Sequence, residues 1–202
     1  MDPTPHLPGQ PGTASVSVRP ARPDDAAEIA RIQVVTWRTA YRSLLPAAVL
    51  DEWDEAAAVD SWRAAVTSPP TPGHAVVVAV ERGTLVGFAA FGPAELADGE
   101  RPDPAGPTTE IATLLVEPRW GRRGHGSRLL AAVADLARSS ATARLQIWLP
   151  EEDRVSARFF ESAGWGRAGS VRTLDTGGPP LREVRWHAAL DDDAARAGED
   201  AR

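Results

Sequence analysis

The sequence predicts an α/β (α+β) domain of six to seven strands flanked by about four helices. Three observations carry this. Short apolar, β-branched runs recur from Val16 to Ala188, helical periods lie between them, and one run passes through a glycine-rich turn straight into an amphipathic helix. The length of 202 residues suits one domain, and 43% hydrophobic with 25% charged residues is the composition of a chain that builds a packed core.

Each element has a local reason. Val16 and Val18 alternate with polar neighbours before Arg19-Pro20, which predicts a short first strand stopped by proline. Pro23-Asp24-Asp25 supplies a helix start, and Ile29, Ile32, Thr36, Ala40 and Leu44 recur at helical spacing until Pro46, with Trp37 and Tyr41 on an adjoining stripe. A second helix is expected from about Glu55 to Val66, ended by Pro69, Pro70 and Pro72. The run Ala75 to Val80 is continuously apolar, as a strand buried on both faces would be. Glu81-Arg82-Gly83 then turns the chain, and Leu85 to Phe91 completes an antiparallel hairpin.

Pro93 to Pro107 is proline-rich and charged and reads as a loop. Ile111 to Val116 is the next strand, stopped by Pro118. After the glycine-rich turn, Leu129, Leu130, Val133, Leu136 and Ala137 mark a helix. Leu145, Ile147 and Leu149 form a strand ended by Pro150, and Arg154 to Ala163 a short helix ended at Gly164. Val171 to Leu174 and Val184 to Ala188 make a closing pair of strands. The domain is thus expected over 15–190, between a Pro/Gly-rich tail at 1–14 and an Asp/Ala/Arg/Glu-rich tail at 191–202, both too poor in apolar groups to fold and both expected to be flexible.

Charge and composition exclude several functions. A net charge of -6 without a basic tract argues against a nucleic-acid partner. With no cysteine there can be no disulfide, thiolate metal site or thiol intermediate. No apolar run is long enough to span a membrane and the N-terminus lacks a signal-peptide pattern, so a cytoplasmic location with no membrane partner is expected. No metal site is expected.

The feature that points to chemistry is Gly121-Arg122-Arg123-Gly124-His125-Gly126, between a strand and a helix. Glycines let backbone amides approach an anion, and a helix N-terminus favours negative charge, so this is a device for holding a phosphate, with Arg122 and Arg123 as cations. It is not the dinucleotide fingerprint, whose spacing is reversed, nor the nucleoside-triphosphate loop, whose Gly-Lys-Ser/Thr end is missing.

What remains resembles the central motif of the GNAT superfamily of N-acetyltransferases. The stretch Glu110-Ile-Ala-Thr-Leu-Leu-Val116-Glu-Pro-Arg-Trp-Gly-Arg-Arg-Gly124-His-Gly126-Ser-Arg-Leu-Leu130 carries the likeness, and Asp153-Arg-Val-Ser-Ala157-Arg-Phe159-Phe160-Glu-Ser-Ala-Gly164-Trp165 echoes a second family motif. The order of elements is the family's order. The resemblance implies a GNAT-like mixed, mostly antiparallel twisted sheet, and acetyl-CoA as co-substrate of an EC 2.3.1-type acyltransferase of bacterial, small-molecule type.

It further implies roles for individual residues. The backbones of Leu114, Leu115 and Val116 would hold the pantetheine arm, and Gly121, Arg122, Arg123, Gly124, His125, Gly126 and Ser127 would hold the pyrophosphate, with Asp153 and Phe160 also lining the cofactor. His125 fills a variable loop position and reads as a surface residue. Glu110 is the candidate base that takes the proton of the attacking amine, although a glutamate at the start of a strand can equally be a solvated edge residue. Glu117 is expected on the opposite face by strand alternation.

This sequence departs from the family at three positions. Gly121 stands where Gln or Arg is usual, Asp153 where Asn is usual, and Phe160 where many members have the tyrosine that protonates the leaving thiolate. Phenylalanine has no proton to give. For the acceptor side, Trp37 and Tyr41 are the candidate contacts, with Trp53, Asp51, Asp54 and Trp62 near them; aromatic residues at helical spacing can equally be core.

The resulting expectation is an acetyl-CoA-dependent N-acetyltransferase acting by direct transfer on a primary amine of a small molecule. A protein N-terminal acetyltransferase and a CoA-binding sensor without turnover are the alternatives left open. Nothing in the sequence fixes the oligomeric state, and a homodimer stays among the options.

Overall fold

The computed structural model describes residues 15–40, 42, 50–96, 100–176 and 179–190; the expected tails, the continuation of the first helix and Tyr41 lie outside the described residues. Strand β1 (Val16–Pro20) ends at proline, which has no N–H to extend a ladder. A 3-10 turn, Pro23–Asp25, then launches helix α1 (Ala26–Ala40). Asp25 closes that turn by accepting from the Arg22 N–H at 2.7 Å, and Arg19 grips the same carboxylate with two bonds of 2.7 and 2.9 Å. Helix α2 (Glu55–Thr67) is capped by Asp54, whose Oδ1 accepts from the Ala57 N–H at 2.9 Å.

The hairpin follows as β2 (Ala75–Glu81) and β3 (Thr84–Pro93), with Arg82 and Gly83 both at positive φ in its turn. Beyond the 94–107 segment come β4 (Thr108–Val116), helix α3 (His125–Ser139), β5 (Arg144–Pro150) and helix α4 (Arg154–Ser162). Strands β6 (Gly166–Leu174) and β7 (Leu181–Ala189) close the chain. The expected start of β4 at Ile111 and of β6 at Val171 are each too late, because Thr108 to Glu110 and Gly166 to Ser170 are polar or small and their pairing is set by neighbouring strands rather than by their own pattern.

All seven strands form one sheet in the order β1-β2-β3-β4-β5-β7-β6. Every neighbouring pair is antiparallel except β4 and β5. Neither outer strand offers a long regular edge. β1 is short, and β6 carries a register shift between Arg167 and Val171 with Gly169 at φ 76° inside it.

The core has two halves, one on each face. Val77 and Ala79 of β2 join Ile111, Leu145, Ile147 and Trp186 under Leu129 and Val133 of α3 and Phe160 of α4. Val76 and Val78, one residue out of phase, join Leu85, Phe88 and Leu115 under Ile29 and Ile32 of α1. Alternate residues of one apolar strand thus feed opposite cores, which is why its run from Ala75 to Val80 contains no polar position. α1 packs on β3 and β4 and α2 on β2, and among the described residues no helix packs closely on β5, β7 or β6 from this face.

The pairing of β3 with β4 skips a residue: Ala90 faces Thr113 while Phe91 faces Ile111, leaving Ala112 as an extra residue in β4. A bulge restarts the alternation of side chains. Glu110 and Glu117, an odd number of residues apart, therefore lie on the same face, and the expectation that they point apart is corrected by this bulge. Glu117 is buried beneath α1, where Arg31 donates to both its oxygens at 2.9 and 3.2 Å and Arg119 pairs with it at 2.8 Å. Among the described residues no helix is long and apolar enough to cross a membrane.

Two stability predictions follow from the packing. Phe88 is fully buried and meets Trp62 edge-on at 5.0 Å; Phe88→Ala is expected to cost about 3–5 kcal/mol in urea denaturation at constant pH. Burial pushes the Glu117 carboxyl up, but Arg31, and then Arg119, outweigh it and hold the group below the usual carboxylate range. Its folded value is thus lower than its unfolded value of about 4.3, so the stabilisation is complete above the unfolded value and is lost as the pH falls through the lower folded one. Glu117→Gln should lose about 1–3 kcal/mol at pH 7 and show a shallower fall in stability between pH 5 and 3, read from urea midpoints across that range.

Candidate active site

The site is built along β4. Its pairing with β5 runs from Thr108↔Arg144 to Ile111↔Ile147 and stops there, while β4 continues to Val116 on β3 and β5 continues to Pro150 on β7. The two strands part, and the β5-facing edge of Ala112–Val116 carries backbone groups with no strand beside them. Unpaired strand groups at such a parting are free to bond an extended ligand. Leu114, Leu115 and Val116, expected at the cofactor arm, lie on this stretch.

At the end of β4 a second 3-10 turn, Pro118–Trp120, delivers the chain to the glycine-rich loop. Arg122 adopts φ 61° and Gly124 φ 79°. Left-handed backbone costs a non-glycine residue about 1–2 kcal/mol, so Arg122 is held there by its surroundings rather than by preference. Gly124 caps α3 without a side chain, and among the described residues no side chain satisfies the first-turn amides of that helix. Uncapped amides at a helix N-terminus attract an anion. Among the described residues nothing pairs with the exposed Arg122 guanidinium, whereas Arg123 lies 4.9 Å over the Trp120 ring and 3.4 Å from Glu81. Arg128 donates to the Arg123 carbonyl at 3.0 Å, bracing the loop from the helix side. Ser127 is exposed in the first turn of α3.

Gly126 is a close approach. A Cβ there would stand 3.3 Å from two ring carbons of Phe159 and 3.9 Å from Leu114. The loop, the parted edge of β4 and α4 therefore meet around a residue that must stay small.

On the face of the sheet left bare by the helices, a cleft of about 590 Å³ opens over β3, β4, β5 and β6. Glu110 lines it together with His74, Trp148, Arg172 and Arg185, among mostly apolar neighbours that include Phe91, Ala112 and Val171. The Glu110 Oε2 accepts from Gln146 Nε2 at 2.7 Å, and among the described residues no cation pairs with it. The cleft's arginines are already engaged: Arg172 with Glu183 at 2.6 Å, Arg185 with Glu100 at 2.6 Å, both stacked on Trp148 at 4.6 and 5.6 Å. His187 lies next along the row Glu110↔Gln146↔His187. Burial, then Arg144 and Arg185, hold its imidazole below the usual value, so it stays neutral at pH 7.

The expected site residues do not all stand together. His125 is not the surface residue its loop position suggested: it is buried at the start of α3, with Nε2 2.7 Å from Glu81. Asp153 is buried as the cap of α4, accepting from the N–H groups of Val155 and Ser156 and from the Ser156 hydroxyl at 2.6 Å. Phe160 is 2% exposed, in core contact with Phe159 and Trp165; the ring beside Gly126 belongs to Phe159. Trp37 packs edge-on to Trp53 at 5.2 Å and is not among the cleft residues. Tyr41 lies outside the described residues.

Sequence reasoning missed Gln146, Trp148, Arg172 and Arg185. A signal existed for the first two, since they alternate with Leu145, Ile147 and Leu149 and so had to face away from the core. For Arg172 and Arg185 none existed, because their approach depends on β7 inserting between β5 and β6. Among the described residues no group of three or more His, Asp or Glu could hold a metal ion.

Comparison with known proteins bears on this arrangement. Residues 31–165 match the acetyltransferase (GNAT) family. The chain is 28% identical over 161 residues to YuaI of Bacillus subtilis strain 168, an uncharacterized N-acetyltransferase, with 74% of this chain and 87% of YuaI covered. Its fold resembles that of yncA from Salmonella typhimurium, solved with its cofactor acetyl-CoA (TM-score 0.64, 23% identity, 89% of this chain and 96% of that one). It also resembles the paia N-acetyltransferase of Thermoplasma acidophilum in complex with coenzyme A (TM-score 0.63, 13% identity, 87% and 99%). At these identities the structural likenesses concern the fold, whereas the sequence match runs from α1 through α4 and takes in both the parted strand and the glycine-rich loop: the chain belongs to the acetyltransferase (GNAT) family.

Proposed function

We propose that this N-acetyltransferase uses acetyl-CoA and moves the acetyl group by direct transfer to a primary amine of a small molecule. One observation carries the reading: β4 joins Glu110, a carboxylate with no cation paired to it among the described residues, to a helix N-terminus without a side-chain cap, with an open backbone edge between them. From Glu110 to Val116 the strand spans roughly 20 Å at about 3.3 Å per residue, the reach of an extended pantetheine arm. The pyrophosphate would lie at the α3 amides and Arg122, the arm along Ala112–Val116, and the thioester beside Glu110. The contact of Gly126 with Phe159 supports this, since a larger residue would fill the passage between loop and strand.

Our reading of the chemistry needs few groups. The amine nitrogen attacks the thioester carbonyl, an unpaired β4 amide stabilises the oxyanion, and the Glu110 carboxylate takes the proton from nitrogen. The nitrogen–carbon bond forms as the carbon–sulfur bond breaks, and the sulfur leaves as thiolate. Phe160 offers no proton, but a thiol of pKa about 8.5 leaves readily as the anion and takes its proton from water. A cleft near 590 Å³ is within the range of small-molecule sites, and its uncompensated carboxylate suits an amine that arrives as a cation.

The chain has no cysteine, so any thiol appearing in the assay is CoA. Thiol release from acetyl-CoA against a panel of small primary amines and an N-terminal peptide tests the function. Glu110→Gln is expected to lower kcat about 100-fold with KM for acetyl-CoA little changed; a loss under threefold would remove Glu110 from the mechanism. Tight binding of acetyl-CoA without thiol release on any acceptor would favour a sensor. Arg122→Ala should raise KM for acetyl-CoA about tenfold and weaken the salt dependence of binding, measured by titration calorimetry at two ionic strengths.

A further inference from the structure

The loop that is read above as the pyrophosphate site is fastened to a residue outside it. Glu81 ends β2 at the tip of the hairpin, paired with Val16 on one side and Thr84 on the other. Its carboxylate reaches under the start of α3, where Oε2 lies 2.7 Å from His125 Nε2 and Oε1 lies 3.4 Å from Arg123 Nη1. The His125 side chain has no exposed surface, and Glu81 is largely buried with it. A carboxylate can only accept, so Nε2 carries the proton and Nδ1 faces a buried space without a partner.

A polar pair is an odd choice for this position. The first residue of α3 faces the core between helix and sheet, where an aliphatic side chain would pack without needing any partner. A carboxylate close to an anion-accepting loop also repels the ligand unless cations offset it. Here Arg123 lies against the carboxylate, and Arg122 and Arg128 add two more cations in and beside the loop. What the pair supplies is orientation. A hydrogen bond to a fixed carboxylate sets the rotation of the first turn of α3, and the same carboxylate, with the Trp120 ring, draws Arg123 to one side of the loop. Arg122 and Gly124, on either side of Arg123, are the two residues of this loop at positive φ. With Arg123 held, Arg122 is the loop arginine left facing outward, and the amides of the first helical turn stay uncapped.

We propose that Glu81 is a positioning residue for the acetyl-CoA site: by holding His125 and Arg123 it keeps the Gly121–Gly126 loop in its anion-accepting conformation before the ligand arrives. This rests on the reading that the loop binds the pyrophosphate of CoA, and the test separates the two.

The measurement is titration calorimetry of CoA into the full chain at fixed salt, with melting temperature recorded for every variant. Wild type, Glu81→Ala, Glu81→Gln and Ile29→Val are compared, the last being a core change in α1 on the opposite face of the sheet. Glu81→Ala should weaken CoA binding tenfold or more, while Glu81→Gln, which keeps an acceptor for His125, should stay within about threefold of wild type. Ile29→Val should lower the melting temperature and leave CoA affinity unchanged. The proposal is overturned if Glu81→Ala binds CoA within twofold of wild type, or if Gln restores none of the loss, since a purely local disruption would not distinguish the two replacements. Failure of the wild-type chain itself to bind CoA would overturn the cofactor reading, and this proposal with it, in a way neither variant result can mimic.

Discussion

Strand β4 is hydrogen-bonded to β3 along its length but to β5 only as far as Ile111↔Ile147. That asymmetry is the constraint around which the molecule is arranged. A strand paired on both edges has no backbone groups left for a ligand, whereas one unpaired on both edges would be too weakly held to present them. By parting from one neighbour and keeping the other, β4 leaves the edge of Ala112–Val116 open while β3, in the middle of the buried hairpin, keeps that edge rigid. The bulge at Ala112 adds to this by returning Glu110 and Glu117 to one face, so that one carboxylate opens on the cleft and the other anchors α1 through Arg31.

The division of labour between the two faces of the sheet follows. One face is apolar from β2 to β7 and takes α3 and α4, which fixes the helix that bears the glycine-rich loop. The other is apolar only under α1 and α2. Past β4 it turns polar, with Gln146, Trp148, Arg172 and Arg185 in place of aliphatic side chains, and among the described residues no helix packs closely over it. The cleft that we propose as the reactive side is therefore a stretch of sheet surface, and its arginines are held in place by carboxylate partners and by stacking on Trp148.

Much of this was legible in the sequence because it is written in local patterns. The apolar run Ala75 to Val80, the glycine loop between Val116 and Leu129, and the helical stripe of α3 each announce themselves within a dozen residues. What was not legible depends on partners distant in the chain. The bulge at Ala112 is a mismatch of register with β3, and no feature of Glu110 to Glu117 signals it. His125 reads as a loop residue until Glu81, from another strand, is brought beneath it. The choice between Phe159 and Phe160 turns on the helical phase of α4: neighbouring residues differ by about 100° around a helix, and only packing shows that Phe160 takes the core and Phe159 the side toward Gly126.

The outer strand β6 bears on a different property. It borders the sheet beyond β7, and an exposed border strand is a template on which a second chain can lay its own backbone. In this protein the ladder is interrupted between Arg167 and Val171, with Gly169 turned to positive φ, and Arg167 and Arg172 flank the interruption. A foreign strand would meet a broken row of donors and acceptors set among charged side chains. The shift in β6 therefore makes this border a poor template for edge-to-edge pairing of folded chains, even though the same strand lends Val171 and Arg172 to the cleft.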